Sequence, residues 1–405
     1  MKKVLIIGHT FPEPTTTAAG SRMMQLIEVL RQKYTIIVAS TAAESERSAN
    51  LKQLGVSSKK IELNNSSFDE FLRKEQPTIV IFDRFITEEQ FGWRVSEVCP
   101  NAIKILDTED LHFLRKAREK AIKENIPVEK AHLFTETAKR ELASIYRCDL
   151  SLIISEAELE LLTTTFSVPK QLLFYVPFLF NTETFPSKTL GFSEREHFIT
   201  IGNLLHAPNV DSVKVLKNEI WPQLKQKFPK AELHIYGAYA PQQITQLHND
   251  KEGFIIKGWV EDCKTVMQQA KVCLAPIRFG AGLKGKLFDA MQCGTPYVTT
   301  KIGAEGITEK NLDDYKESGW QHFIDTAAML YSDEEQWLKS QQLGFEILYN
   351  RFAKTNFEPS FLEKIKHLEA HLQNHRNTNF FGQILQHHTT QSTKYLAKWI
   401  EEKNK

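Results

Sequence analysis

Short apolar runs alternate with longer amphipathic stretches along this chain, and the alternation places most of its elements. Val4–Gly8, Thr35–Ala39, Thr78–Phe82, Ile103–Leu106 and Leu150–Ile154 are compact runs rich in Val, Ile and Leu. Such runs predict strands of a parallel sheet, covered on both faces. Between them the apolar period lengthens to that of a helix, over Gly20–Lys33 and, at greater length, Glu129–Arg147. The period breaks over Pro177–His197, where Asn181, Pro186 and Gly191 fall among mixed charges, and a domain boundary is expected there. Beyond it the alternation restarts. His197–Ile201, Glu232–Tyr236, Phe254–Ile256, Val272–Pro276 and Tyr297–Thr300 are the expected strands, with a helix over Val210–Lys227. From Asp333 onward the pattern is helical, ending in Phe361–Leu372 and Phe380–Glu402. Strands separated by helices imply right-handed crossovers, hence an α/β chain of two Rossmann-like domains, about 1–185 and 195–350, followed by helices over 351–405.

Composition changes this picture little. A chain of 405 residues exceeds one ordinary core. Its formal net charge of +1 argues against broad nucleic-acid binding. Five scattered cysteines, mostly in apolar runs, predict reduced core residues of a cytoplasmic protein, with neither a disulfide framework nor a zinc spacing. The opening MKKVLIIG has an apolar core of only Val4–Ile7, which suits a first strand better than a signal peptide. No stretch approaches bilayer length, so no transmembrane segment is expected.

The chemistry concentrates in PIRFGAGLKGKLFDAMQCGT, residues 276–295. A buried strand, the glycines 280, 282 and 285, and a helix start make a nest of backbone N–H groups suited to an anion. Lys284 and Lys286 stand at that helix start, where a cation is disfavoured unless a phosphate is bound. Asp289, one turn on, is placed to accept from a sugar hydroxyl. Asp107 and Asp110, at the start of the helix after the fourth main strand, have the spacing of helix caps. His367, His371 and His375 share a helical face, and His387 adjoins His388, but no carboxylate or cysteine cluster joins them, and no metal is expected.

The block RFGAGLKGKLFDAMQCGTPYVTTKIGAEGI resembles the nucleotide-diphosphate-binding segment of the family-four glycosyltransferases, which have the GT-B fold. HFITIGNLLHAPNVDSVKVLKNEIWP is similar to the start of their second domain. ELHIYGA and FIIKGWVED resemble the strands that flank the nucleotide base. IFDRFITEEQFGWRV and ILDTEDLHFLRKAR resemble acceptor-side segments of a bacterial branch. The resemblance implies two facing domains and a last helix returning to the first, a return for which Phe357, Phe361, Ile365 and Leu368 have the spacing of a buried stripe.

It also implies transfer of a sugar from a nucleotide-diphosphate sugar to a glycan, glycoprotein or glycolipid hydroxyl, with retention and without a metal or other cofactor. By matching positions, Lys284 and Lys286 would neutralise the diphosphate and Asp289 would bind the ribose. Gly20, Arg22, Gly202, Asn203, Gly280, Gly282 and Leu283 would line the donor. His112 would sit beside the anomeric carbon as a catalytic group, with Arg84, Asp110 and Arg115 toward the acceptor. One departure is plain. The family's two glutamates, eight positions apart, fall here on Ala281 and Asp289, leaving amides of Gly280–Leu283 to hold the transferred sugar. A sugar-nucleotide epimerase of the same fold, and a catalytically silent sugar-nucleotide-binding partner, stay open beside transfer.

Overall fold

The computed structural model describes residues 2–184, 189–308 and 319–404, without the side chains of residues 184 and 388–391. Pro186 of the expected boundary and the side chain of His388 therefore lie outside the described residues.

The first sheet has seven parallel strands: β1 (Lys3–Gly8), β2 (Thr35–Ser40), β3 (Ser57–Lys60), β4 (Ile79–Asp83), β5 (Ile103–Asp107), β6 (Leu150–Ile153) and β7 (Leu173–Tyr175). Their order is β3-β2-β1-β4-β5-β6-β7. The second has β8 (Glu196–Ile201), β9 (Leu233–Tyr236), β10 (Phe254–Gly258), β11 (Ala270–Ala275) and β12 (Tyr297–Thr299), in the order β10-β9-β8-β11-β12. Central strands are rich in apolar residues because helices cover both faces; in β1 Val4 to Ile7 all belong to the buried apolar core, while β5 also buries Lys104 and Asp107. Strand β3, SSKK, is exposed at all four positions. It escapes an apolar search because a sheet edge needs no buried side chain.

Two expected helices are broken. Glu129–Arg147 is a single turn, Val128–Lys130, and then a helix Glu136–Arg147 that restarts where Thr135 Oγ1 accepts from Ala138 N at 3.2 Å. Val210–Lys227 divides into Ala207–Val215, a π turn at Leu216–Ile220 and Trp221–Lys227.

The chain returns to the first domain after the helix Glu334–Arg351. Phe180 N donates to Phe352 O at 3.0 Å and Lys354 N to Phe180 O at 2.8 Å. The helix Glu358–Thr378 then places Phe361, Leu362, Ile365 and Leu368 in one cluster with Val4, Ile6, Ile79 and Ile105. It kinks at His371, whose φ of −129° is not helical, and His375 Nε2 turns to Asp149 O at 2.7 Å. Helix Phe380–Lys403 lies on the helices Arg84–Val98 and Glu136–Arg147, with Ala397 buried and Lys394 paired with Glu97 at 2.9 Å. Its outer face leaves Phe380, Phe381, Tyr395, Leu396 and Trp399 exposed. No helix among the described residues is long and apolar enough to cross a membrane.

Candidate functional site

In each sheet the strand order reverses between neighbours, at β1/β4 and at β8/β11. Crossovers there leave a crevice beyond the carboxyl ends of the strands. Both crevices open into one interdomain cavity of about 1090 Å³. Gly20, Arg84, Asp110, His112 and Arg115 line it from the first domain, and Gly202, Asn203, Gly280, Leu283, Lys284, Lys286 and Asp289 from the second.

The loop after β11 meets the helix Gly285–Gln292 inside this cavity. Lys284 is the N-cap residue, and its Nζ donates to Gly282 O at 2.7 Å. Lys286 Nζ donates to Asn209 Oδ1 at 2.8 Å, while Asn209 Nδ2 donates to Asn203 O at 2.8 Å. A side chain at Gly202 would press on Asn209 at 2.6 Å, so the glycine lets this polar relay pack. Both lysines are only 9% exposed. Burial lowers the Lys284 ammonium against the pull of Glu305, and lowers Lys286 to about 8. Burial likewise raises the Asp289 carboxyl to about 6 against Lys264 and Lys286. Two cations and a carboxylate are thus held beside a positive helix end in a poorly solvated space, an arrangement that a bound anion relieves.

Of the amides expected to hold a sugar, that of Gly282 is already engaged. It donates to Glu158 Oε1 at 2.8 Å, and Gly282 (φ +62°) lies against the first domain, where an added Cβ would be 2.9 Å from Asp110 Cβ. Gly282 therefore joins the domains and does not line the cleft. Arg118 makes a second joint, donating to Gly280 O at 2.9 Å and gripping Glu305 at 2.7 and 2.8 Å. Among the described residues, the amides of Ala281, Leu283 and Gly285 have no protein acceptor.

Two first-loop residues do other work than the sequence suggests. Arg22 is 1% exposed and outside the cavity. Its Nε and Nη2 donate to Asp107 and its Nη1 to Val176 O and Pro177 O, so the guanidinium is committed to the first-domain core and not to the cavity. Gly20 lines the cavity, but its amide caps onto Thr17 Oγ1 at 2.9 Å, and the space of its missing side chain holds the Glu13 backbone.

The first-domain wall centres on the helix His112–Lys123. Neither Asp107 nor Asp110 caps it. Glu141 Oε1 and Oε2 accept from His112 N and Phe113 N at 3.1 and 3.0 Å, and Glu158 Oε1 accepts from Leu111 N at 2.9 Å. These carboxylates come from other helices, 29 and 47 positions away, so local spacing could not reveal them. Asp110 is freed to pair with Arg115 at 2.7 Å and to stand 3.4 Å from His112 Nε2. Burial would raise the Asp110 carboxyl, but Arg115 and His112 hold it below its ordinary value. Burial lowers His112 to about 4 despite Asp110, which leaves the imidazole neutral at pH 7. Arg84 pairs with Asp83 at 3.1 Å, and Arg115 also reaches His206 Nε2 at 3.1 Å across the cleft. At the cleft mouth Arg47 lies over Tyr239 and Trp259, 4.6 and 5.0 Å from their centroids.

The sequence profile described as Glycosyl transferases group 1 matches residues 195–333. No curated protein matches the chain in sequence. Among solved structures, Anabaena HepE in complex with UDP and glucose superposes with a TM-score of 0.66 at 14% identity, over 90% of this chain and 100% of that one. Sucrose-phosphate synthase of Thermosynechococcus elongatus gives 0.66 at 13% identity, over 91% and 100%. A TarM variant of S. aureus, in complex with Fondaparinux, alpha-GlcNAc-glycerol and UDP, gives 0.57 at 15%, and there this chain spans 58% of the relative's length and 74% of its own. At such identities the likeness is one of fold. The chain thus has the GT-B arrangement across both sheets, and its second domain matches the group 1 glycosyl transferase profile.

Proposed function

We propose that the chain moves a sugar from a nucleoside-diphosphate sugar to an acceptor hydroxyl in this cleft, with retention at the anomeric carbon and without a divalent ion. The observation that carries the reading is the pair of buried lysines at a helix start, facing His112 across one cavity. Lys284 and Lys286, with the helix end, would stabilise charge on the departing diphosphate in a site where water cannot screen it. The sugar C1–O bond to phosphate breaks as the bond from C1 to the acceptor oxygen forms. The acceptor proton passes to the leaving phosphate oxygen, so no protein base is consumed. His112, neutral, donates to or accepts from a hydroxyl of the reacting sugars. Asp289 accepts from ribose hydroxyls. The acceptor lies toward Arg84, Asp110 and Arg115, and is a glycan or a glycosylated protein or lipid. UDP, seen in HepE and TarM, is the first nucleotide to test.

The test is a melting screen with UDP, GDP, ADP and dTDP and their glucose conjugates, followed by transfer or hydrolysis of the binding sugar nucleotide with EDTA present. Binding with turnover supports the reading. Binding without turnover makes the chain a silent partner, and inversion at a ring carbon of the donor makes it an epimerase. Turnover lost in EDTA and restored by magnesium overturns metal independence.

A further inference from the structure

Two non-glycine residues of the first-domain wall have left-handed backbone, Arg84 (φ +70°) and Glu109 (φ +62°), at the ends of the adjacent strands β4 and β5. Long side chains are disfavoured in that region, and the rest of the wall must hold them there. Glu109 lines the cavity yet is only 9% exposed, and its Oε1 is buried with no hydrogen-bond partner. Buried carboxylate oxygens are nearly always satisfied, so such an orphan needs a reason.

Each neighbouring carboxyl is engaged through at least one oxygen, although Asp83 Oδ1 and Glu158 Oε2 are also buried without a partner. Asp107 is taken by Arg22, Asp110 by Arg115, Glu141 by helix amides, and Asp83 by His9 N and Arg84 through its Oδ2. Burial, then Asp107 and Asp83, push the Glu109 carboxyl well above its ordinary value against Arg84 and Arg22. The same residue borders the donor loop, since a Cβ at Gly282 would lie 3.2 Å from Glu109 O. That loop carries no carboxylate of its own from Gly280 to Lys286.

We propose that Glu109 touches substrate, hydrogen-bonding a ring hydroxyl of the sugar carried by the donor. This rests on the donor-site reading above. A hydroxyl both donates and accepts, so it satisfies this carboxyl in either protonation state. A metal ion fits the pocket poorly, because the Arg84 guanidinium shares it and already pairs with Asp83.

The test compares Glu109→Ala and Glu109→Gln with the native chain by titration calorimetry, using UDP, GDP, ADP and dTDP and their glucose conjugates. The Ala variant should bind the free nucleotide as the native chain does, bind the sugar nucleotide about ten-fold more weakly, and melt no lower, because the deleted oxygen had no protein partner. The Gln variant should keep part of the sugar-dependent affinity. Equal loss for nucleotide and sugar nucleotide, or an unchanged ratio between them, with or without a fall in melting temperature, overturns the assignment. If the native chain binds some panel member and the variants match it, only this inference fails. If the native chain binds none, the donor-site reading fails and this inference fails with it.

Discussion

Asp289→Asn tests whether the cleft is built for a ligand at the expense of the free protein. Burial lifts the Asp289 carboxyl from its ordinary 3.8 to about 6, although Lys264 and Lys286 pull the other way. The sign follows from proton counts. Between these two pH values the folded chain keeps a proton that the unfolded chain has lost, so stability falls as pH rises through that window and stays lowered above it. At about 1.4 kcal/mol per pH unit the cost is at most ~3 kcal/mol, and less because Asp289 keeps part of its surface toward the cavity. An amide has no such cost. The Asn variant should therefore melt with the native chain near pH 4 and several degrees above it at pH 7.5, at about 2–4 °C per kcal/mol for a domain of this size. Nucleotide binding should change the other way. A charged acceptor contributes about 1.5–3 kcal/mol, so the Kd for UDP, or for whichever nucleotide binds, should rise about 10–100-fold. Melting scans from pH 4 to 8, with and without nucleotide, read both effects. A variant that melts lower at pH 7.5 while binding as the native chain does would refute the reasoning and make Asp289 a structural support.

Three further outcomes are expected. Lys284→Ala with Lys286→Ala should lower nucleotide affinity by about 100-fold or more; since Lys286 in the free chain loses its proton above about 8, affinity should also decline as pH climbs past that value. Lys286→Ala alone should flatten this alkaline decline, and an unchanged slope would exclude Lys286 as its source. Arg22→Ala should cost about 3–5 kcal/mol in unfolding experiments, because it strands Asp107 uncompensated in the core, while the folded fraction binds nucleotide normally; a stable variant with weakened binding would instead make Arg22 a phosphate ligand. Removing residues 379–405 strips buried Ala397 and the Lys394–Glu97 pair from the first domain, so the melting temperature should fall without change in nucleotide affinity, and an unchanged melting temperature would show that the helix adds no stability.

What the sequence determined by itself is whatever depends on neighbours in the chain. The apolar runs of β1, β4, β5, β8 and β11 identify the inner strands, because a strand covered on both faces is dominated by apolar side chains. The expectation of an anion site at the glycines and lysines of residues 280–286 has the same local basis, since a nest and a helix start are made from consecutive residues. The polar edge strand Ser57–Lys60 had no such signature, as it buries nothing. Tertiary structure alone decided the assignments that turn on partners far along the chain. It gave Arg22 to Asp107, 85 positions away, and Gly282 N to Glu158, 124 positions away. It also took the capping of the His112 helix from Asp107 and Asp110 and handed it to Glu141 and Glu158. A sequence shows which groups carry charge and hydrogen-bonding capacity. Only packing shows which of them are already satisfied, because burial forces each polar group to take whatever partner the fold brings within reach, and what is left unsatisfied at the cavity wall is what a ligand can use.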